Sequence, residues 1–264
     1  MSVSVTDGVS DSIVVEQSNG ICVVRLNRPR VGNAISAEMF TRLGEVFAEI
    51  DADDRVRVAV LTGTGDRAFC AGADLEEFIP TLTGGNLGAV IPDPSKRIFS
   101  DVYTPIIAAV NGTCIAGGME LLLGTDIRLA AEHATFATPE TRLALVGAGG
   151  TVSRLARQVP WAVAMEMLLT GAPIDAHRAR EVGLVNRVVP AAGLVDEALR
   201  LAESICAAGP LATRATKEIV VKGAAMESPF GIEAELAGRV FGTEDALEGP
   251  RSFVERRAPR FTGR

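Results

Sequence analysis

The sequence predicts an α/β fold built on parallel strands, and three observations carry that reading. Residues 56–62, 105–110 and 127–131 are short, nearly all-apolar runs of the kind shown by strands buried on both faces. The first two end in turn residues, Thr62-Gly63-Thr64-Gly65 and Asn111-Gly112, and helical spacing lies between the runs. From Thr151 onward the signal is almost wholly helical. Alternation of this kind implies parallel pairing through right-handed crossovers.

The elements follow in order. Residues 13–17 and 21–26 read as two strands joined by Ser18-Asn19-Gly20, an Asn-Gly hairpin signal. Ser36 stands as a helix N-cap with Glu38 in the first turn. Over 37–50 helical spacing puts Phe40, Leu43, Val46, Phe47 and Ile50 on one face. A helix is expected over 118–123, and an apolar helix pair carries Leu155, Val159, Ala162, Met165, Met167 and Leu168. A short strand-like piece spans 184–189. Helices follow over 194–207 and 211–225, and a last amphipathic piece runs from about 244 to 257. The chain therefore divides into a mixed-sheet core over 1–195 and a helical C-terminal region over 196–264. The apolar faces of that region must pack on the core or on another subunit.

Composition narrows the function. With 264 residues, 47% hydrophobic and 22% charged, the chain can bury one large core and is not globally disordered. A net charge of -7 makes it a poor partner for nucleic acid. The cationic cluster Arg251, Arg256, Arg257, Arg260 and Arg264 reads either as a solvated surface or as an anion contact. Cys22, Cys70, Cys114 and Cys206 lack C-x-x-C spacing and read as free, buried thiols in a reducing compartment. The only histidines, His133 and His177, have no ligand-like spacing, which argues against a His-based metal site and a Ser-His-Asp triad. Residues 1–12 show no basic stretch followed by an apolar one, and no apolar run is long enough to span a bilayer, so no membrane association and a cytoplasmic location are expected.

Two glycine-rich segments carry the chemistry. Ala68-Phe69-Cys70-Ala71-Gly72-Ala73-Asp74-Leu75 follows the first apolar run, and Asn111-Gly112-Thr113-Cys114-Ile115-Ala116-Gly117-Gly118-Met119-Glu120-Leu121 follows the second. Each runs small residues into a helix start, where backbone N–H groups are free and the helix dipole is positive. Small side chains let a ligand approach those amides. Two adjacent strands delivering two such turns would aim two N–H donors at one oxygen, the construction of an oxyanion hole. Neither segment fits a phosphate loop.

These segments, with Leu26-Asn27-Arg28-Pro29, Asn33-Ala34, Ala134-Thr135-Phe136, Pro139-Glu140, Gly147-Ala148-Gly149-Gly150-Thr151, Leu169-Thr170-Gly171, Glu244-Asp245-Ala246-Leu247-Glu248-Gly249 and Phe253, resemble the crotonase superfamily, the enoyl-CoA hydratases and isomerases. The resemblance covers nearly the whole chain in order. It implies a ClpP-like spiral of repeated ββα units with a helical C-terminal trimerisation region, assembled as a homotrimer or dimer of trimers. It implies an acyl-CoA substrate and no cofactor beyond the coenzyme A that the substrate carries. It assigns the oxyanion donors to the backbone of Ala73 and Gly117 and the catalytic carboxylates to Glu120 and Glu140. Coenzyme A contacts are expected from Arg28, Arg30, Ala34, Ala71, Asp74, Leu75, Phe253 and Arg257. The expected reaction is reversible syn-hydration of a 2-enoyl-CoA. The alternatives are an enoyl-CoA isomerase, a dehydratase of a functionalised substrate such as carnitinyl-CoA, and a non-catalytic CoA-binding homologue. Two departures from the pattern stand out. Glu76 occupies a position where many relatives carry Lys. Leu145-Val146 runs into Gly147 without the usual Pro, in a loop one residue shorter.

Overall fold

A computed structural model describes residues 12–74, 77, 96–143, 145–223, 243–245, 248 and 255–264. Leu75, Phe253, nearly all of the 79–96 segment and most of the 244–257 piece lie outside the described residues. In chain order, β1 (Ile13–Ser18) and β2 (Ile21–Leu26) precede α1 (Ala37–Ala52). Then come β3 (Val58–Gly63), β4 (Ala68–Cys70), β5 (Ile106–Val110), β6 (Thr113–Ile115) and α2 (Gly117–Leu122). They are followed by β7 (Ile127–Ala131), β8 (Thr135–Ala137), α3 (Thr151–Gln158), α4 (Trp161–Thr170), β9 (Ile174–Asp175) and α5 (Ala176–Glu181). β10 (Arg187–Val189), α6 (Leu194–Cys206) and α7 (Pro210–Gly223) come last.

The strands form two sheets. One has the order β1-β2-β3-β5-β7-β10, parallel except for the β1–β2 hairpin. The other has the order β4-β6-β8-β9. β3, β5 and β7 of the first sheet are each followed at once by a strand of the second, β4, β6 and β8, which gives the ββ half of the repeated ββα unit. Residue patterning alone misses β4 and β6 and reads their segments as turns. Strands of three residues are too short to show a period of two.

Local chemistry accounts for the elements that position the site. Asn19 and Gly20 both have positive φ (52° and 80°), the geometry a two-residue hairpin turn demands. The Ser36 side chain accepts from Met39 N at 3.1 Å and starts α1. Met39 joins Leu43, Val46, Phe47 and Ile50 in the fully buried stripe, because the i, i+4 step from Leu43 leads back to 39, and the expected Phe40 packs half-buried against the same core. In β3, Ala59 and Leu61 join one core cluster while Val58 and Val60 join the other, so the strand is buried on both faces as expected. α6 covers the second face with Leu194, Ala198 and Ala202, so the first helix of the expected C-terminal region packs on the core sheet. The expected helix at 118–123 starts one residue earlier, at Gly117. Among the described residues no helix is long and apolar enough to cross a membrane.

α7 is clamped to the core by charge. Asp51 accepts from the backbone N–H of Tyr103 and Thr104 (2.8 and 2.7 Å), from the Thr104 hydroxyl, and from Arg214 through both carboxylate oxygens. Lys217 bridges Asp126 at 2.7 Å and the Thr104 carbonyl at 3.0 Å. Burial alone would raise the Asp51 pKa; the Thr104 N–H and the Arg214 charge outweigh it and hold the carboxyl below 3.8. Its contribution is therefore full above that ordinary value and is lost as pH falls through the lowered one. Asp51→Ala is expected to lower the unfolding free energy by about 2–3 kcal/mol, because it strands several donors. Urea unfolding at pH 7 measures this, and a loss within error would show that the cluster does not hold α7.

Candidate active site

The two glycine-rich segments meet. The chain leaves β3 and β5 and enters β4 and β6 through corners pinned by two buried amides. The Asn33 side chain donates to Thr64 O and Ala68 O and accepts from Arg28 N. The Asn111 side chain accepts from Gly63 N and donates to Gly65 O and Ala68 O. Beyond β4, Ile35 pairs with Ala73 in a parallel bridge: Ile35 N donates to Gly72 O and Asp74 N donates to Ile35 O, both at 2.8 Å. In that register the N–H of Ala73 points away from Ile35. It faces the start of α2, where a methyl added at Gly117 would lie 3.2 Å from Ala73 N. As the first residue of α2, Gly117 has no acceptor for its N–H within the helix. Among the described residues neither amide donates a hydrogen bond to protein.

Two backbone features hold this approach. Ala116 has φ 49° and ψ -114°, a conformation that costs a non-glycine residue about 1–3 kcal/mol and marks a turn over-determined by its surroundings. A methyl on Gly118 would lie 2.4 Å from Cys70 O, so α2 can press on β4 only with glycine there.

Glu120 and Glu140 face a third glycine-rich loop. Glu120, in α2, accepts from Gly149 N at 2.7 Å, and a methyl on Gly149 would lie 2.1 Å from the other carboxylate oxygen. Glu140 sits in the 3-10 helix Pro139–Leu143, and its Oε1 lies 2.8 Å from where a methyl on Gly147 would stand. That oxygen is buried and among the described residues has no hydrogen-bond partner; the Thr151 hydroxyl, 3.3 Å from the same added methyl, is in the same state. Gly147 thus lines the Glu140 carboxyl and Gly149 the Glu120 carboxyl, within one loop. Leu145 N donates to Glu140 O at 2.9 Å, which closes the loop directly onto the glutamate's own carbonyl.

Burial pushes the Glu120 carboxyl up to about 7. The Gly149 N–H opposes that rise, Glu140 adds to it, and the charges of Arg97 and Arg154 also oppose it. Burial likewise raises Glu140, against a backbone N–H that lowers it. The Glu140 charge adds to the rise of Glu120, so the two carboxyls resist being ionised together. One can take a proton while the other gives one.

The remaining expected contacts are spread out. Arg28 is paired with Asp74 at 3.0 Å and donates to Ala34 O at 2.8 Å, so Arg28, Ala34 and Asp74 form one brace across the first turn. Ala71 N donates to Gly32 O in the same brace. Arg30 is exposed. Arg257 is exposed and paired with Glu248 and Glu255. Arg97 and Arg154 escape the sequence reading. Arg97 lies in a stretch without periodicity, and its bond to Ala148 O joins residues 51 apart.

The family model for enoyl-CoA hydratase/isomerase matches residues 16–264. Enoyl-CoA hydratase EchA19 of Mycobacterium tuberculosis is 39% identical over 257 residues, 95% of this chain and 96% of the relative. Carnitinyl-CoA dehydratase of Proteus mirabilis is 38% identical over 263 residues, 97% of this chain and all of the relative. The crystal structure of an enoyl-CoA hydratase from Bacillus anthracis superposes with a TM-score of 0.90 at 34% identity, covering 96% of this chain and all of that one. The chain belongs to the enoyl-CoA hydratase/isomerase family and is a crotonase-fold enzyme.

Proposed function

We propose that the protein adds water reversibly across the double bond of a 2-enoyl-CoA to give a 3-hydroxyacyl-CoA. The observation that carries this reading is the pair Glu120 and Glu140, both raised in pKa and both lined by one glycine loop. The thioester oxygen is assigned to the N–H groups of Ala73 and Gly117, where one such donor is worth roughly 3 kcal/mol to an oxyanion. Glu120, held by Gly149, takes a proton from water as its oxygen bonds to the β-carbon. Glu140 gives its proton to the α-carbon of the enolate, and its unpartnered Oε1 leaves that proton available to the substrate. In sum, H and OH are added and the dyad returns to one shared proton. Arg30 is our candidate for a coenzyme A phosphate; Arg28 serves first to brace the turn. Trp161, Leu169 and Val220 are 68, 66 and 65% exposed, and they support burial against further copies in a trimer or hexamer.

A panel of enoyl-CoA substrates of varied length, followed by loss of enoyl absorbance and product mass, tests the reading. No hydration of any member overturns it. The activity requires an ionised Glu120, so the acidic limb of kcat/KM is expected near pH 7, far above the ordinary carboxylate value of 4.5. A limb near 4.5 would remove Glu120 from the role of base. A second reading, dehydration of a functionalised 3-hydroxyacyl-CoA, runs the same steps backward. It is favoured by the likeness to carnitinyl-CoA dehydratase. It predicts turnover of carnitinyl-CoA but none of simple enoyl-CoA substrates.

A further inference from the structure

We infer that Arg97 is a positioning residue of this site, holding the peptide that joins Ala148 to Gly149 so that its N–H faces Glu120. The two groups gripped belong to one peptide plane. Arg97 Nε donates to Ala148 O at 2.8 Å, and Gly149 N donates to Glu120 Oε1 at 2.7 Å. In a trans peptide these groups point in opposite directions, so a cation at one end and a carboxyl at the other fix rotation of the plane about its neighbours. The cation also polarises the amide and strengthens the N–H as a donor. The stem of Arg97 adds packing: a methyl on Gly150 would lie 3.4–3.5 Å from its Cγ and Cβ, next to Arg154 Cδ. Arg154 anchors the strap on which Arg97 rides, donating through Nη2 to Ile98 O and Ser100 Oγ. A glycine loop has no side chains of its own to set its peptide planes, so a partner outside the loop must do so.

The groups facing Glu120 are Glu140 from the 3-10 helix, Cys70 from β4, Arg154 from α3 and Arg97 from the strap. Removing the Arg97 charge leaves one cation against the second carboxyl, so the Glu120 titration moves to higher pH.

The kinetic readouts rest on the hydration reading; a titration does not. Arg97→Gln is expected to lower kcat roughly 10- to 100-fold, as displacement of a catalytic group does, with KM little changed and the acidic limb moved to higher pH. Arg97→Lys keeps the charge without the guanidinium's directed N–H; it is expected to restore the limb and only part of kcat. An Arg97→Gln enzyme with unchanged kcat and limb overturns the inference, as does one that changes KM alone. Should Arg97→Gln fail to fold, Arg97→Lys decides alone: a fall in kcat at constant KM supports the role, and unaltered kcat sinks it. Should the parent protein hydrate no enoyl-CoA, the hydration reading fails by itself. The Glu120 carboxyl titration by 13C NMR then tests Arg97 directly. Upward movement in Arg97→Gln supports the role, and no movement overturns it.

Discussion

Glu120→Gln is expected to lower kcat for hydration about 1,000-fold, within the range that a positioned acid or base supplies, and to make the protein more resistant to urea at pH 8. The loss follows because an amide accepts no proton from water. The gain follows from the buried carboxyl. Its folded pKa of about 7 lies above the ordinary 4.5, so the native state gains from the proton it holds. That gain is full below 4.5 and is lost as pH rises through about 7. The parent therefore carries a desolvated charge at pH 8 that glutamine does not. The stability difference between variant and parent should grow from pH 5 to pH 8, read from urea midpoints. Glu140→Gln is expected to cost activity on the same scale. Retained activity in Glu120→Gln would instead indicate a single-carboxylate mechanism, as in an isomerase.

Gly149→Ala is the second large effect, a loss of at least about 100-fold, since displacing a reacting group by an ångström costs that much. Its methyl would stand 2.1 Å from one Glu120 oxygen and 2.4 Å from the carboxyl carbon, so either the carboxyl or the loop must move. The amides of Ala73 and Gly117 are untouched. Binding of a 3-hydroxyacyl-CoA, measured by calorimetry, should survive. Gly44→Ala makes the control: nothing lies within 4 Å of the added methyl, and Gly44 sits inside α1. That change should leave kcat alone and add about 0.8–1 kcal/mol of stability. Equal activity in Gly149→Ala and Gly44→Ala would show that Gly149 does not hold the base.

Much of this architecture is legible in the sequence where physical patterns are long enough to register. The buried strands announce themselves as all-apolar runs, and α1 by its cap and stripe. The two turns proposed to hold the thioester oxygen are visible as small residues running into helix starts. The second sheet is not visible, because Ala68–Cys70 and Thr113–Ile115 carry too few residues for periodicity. The roles of Glu120 and Glu140 come from resemblance. Alone, a glutamate among leucines is the wet edge of a helix, and only the fold brings Gly149 beneath it. Arg97 and Arg154 are invisible for a related reason: what they grip is backbone, and a carbonyl leaves no mark in the sequence. Arg28 and Asp74 illustrate the converse. Both are legible as candidate ligands, yet they spend their charges on each other.

The interleaving of the two sheets also bears on how the protein reaches this structure. Chain neighbours such as β3 and β4, or β5 and β6, lie in different layers, so among the described strands only the β1–β2 hairpin pairs elements adjacent in sequence through a tight turn. Every parallel pairing must close a longer loop before it is rewarded, a topology that folds slowly and exposes unpaired edges meanwhile. The hairpin is the natural nucleus. The amides of Ala73 and Gly117 come into register only once β4 has met β6, a pairing expected late in assembly. Recovery of turnover after dilution from urea should therefore coincide with the slowest refolding phase.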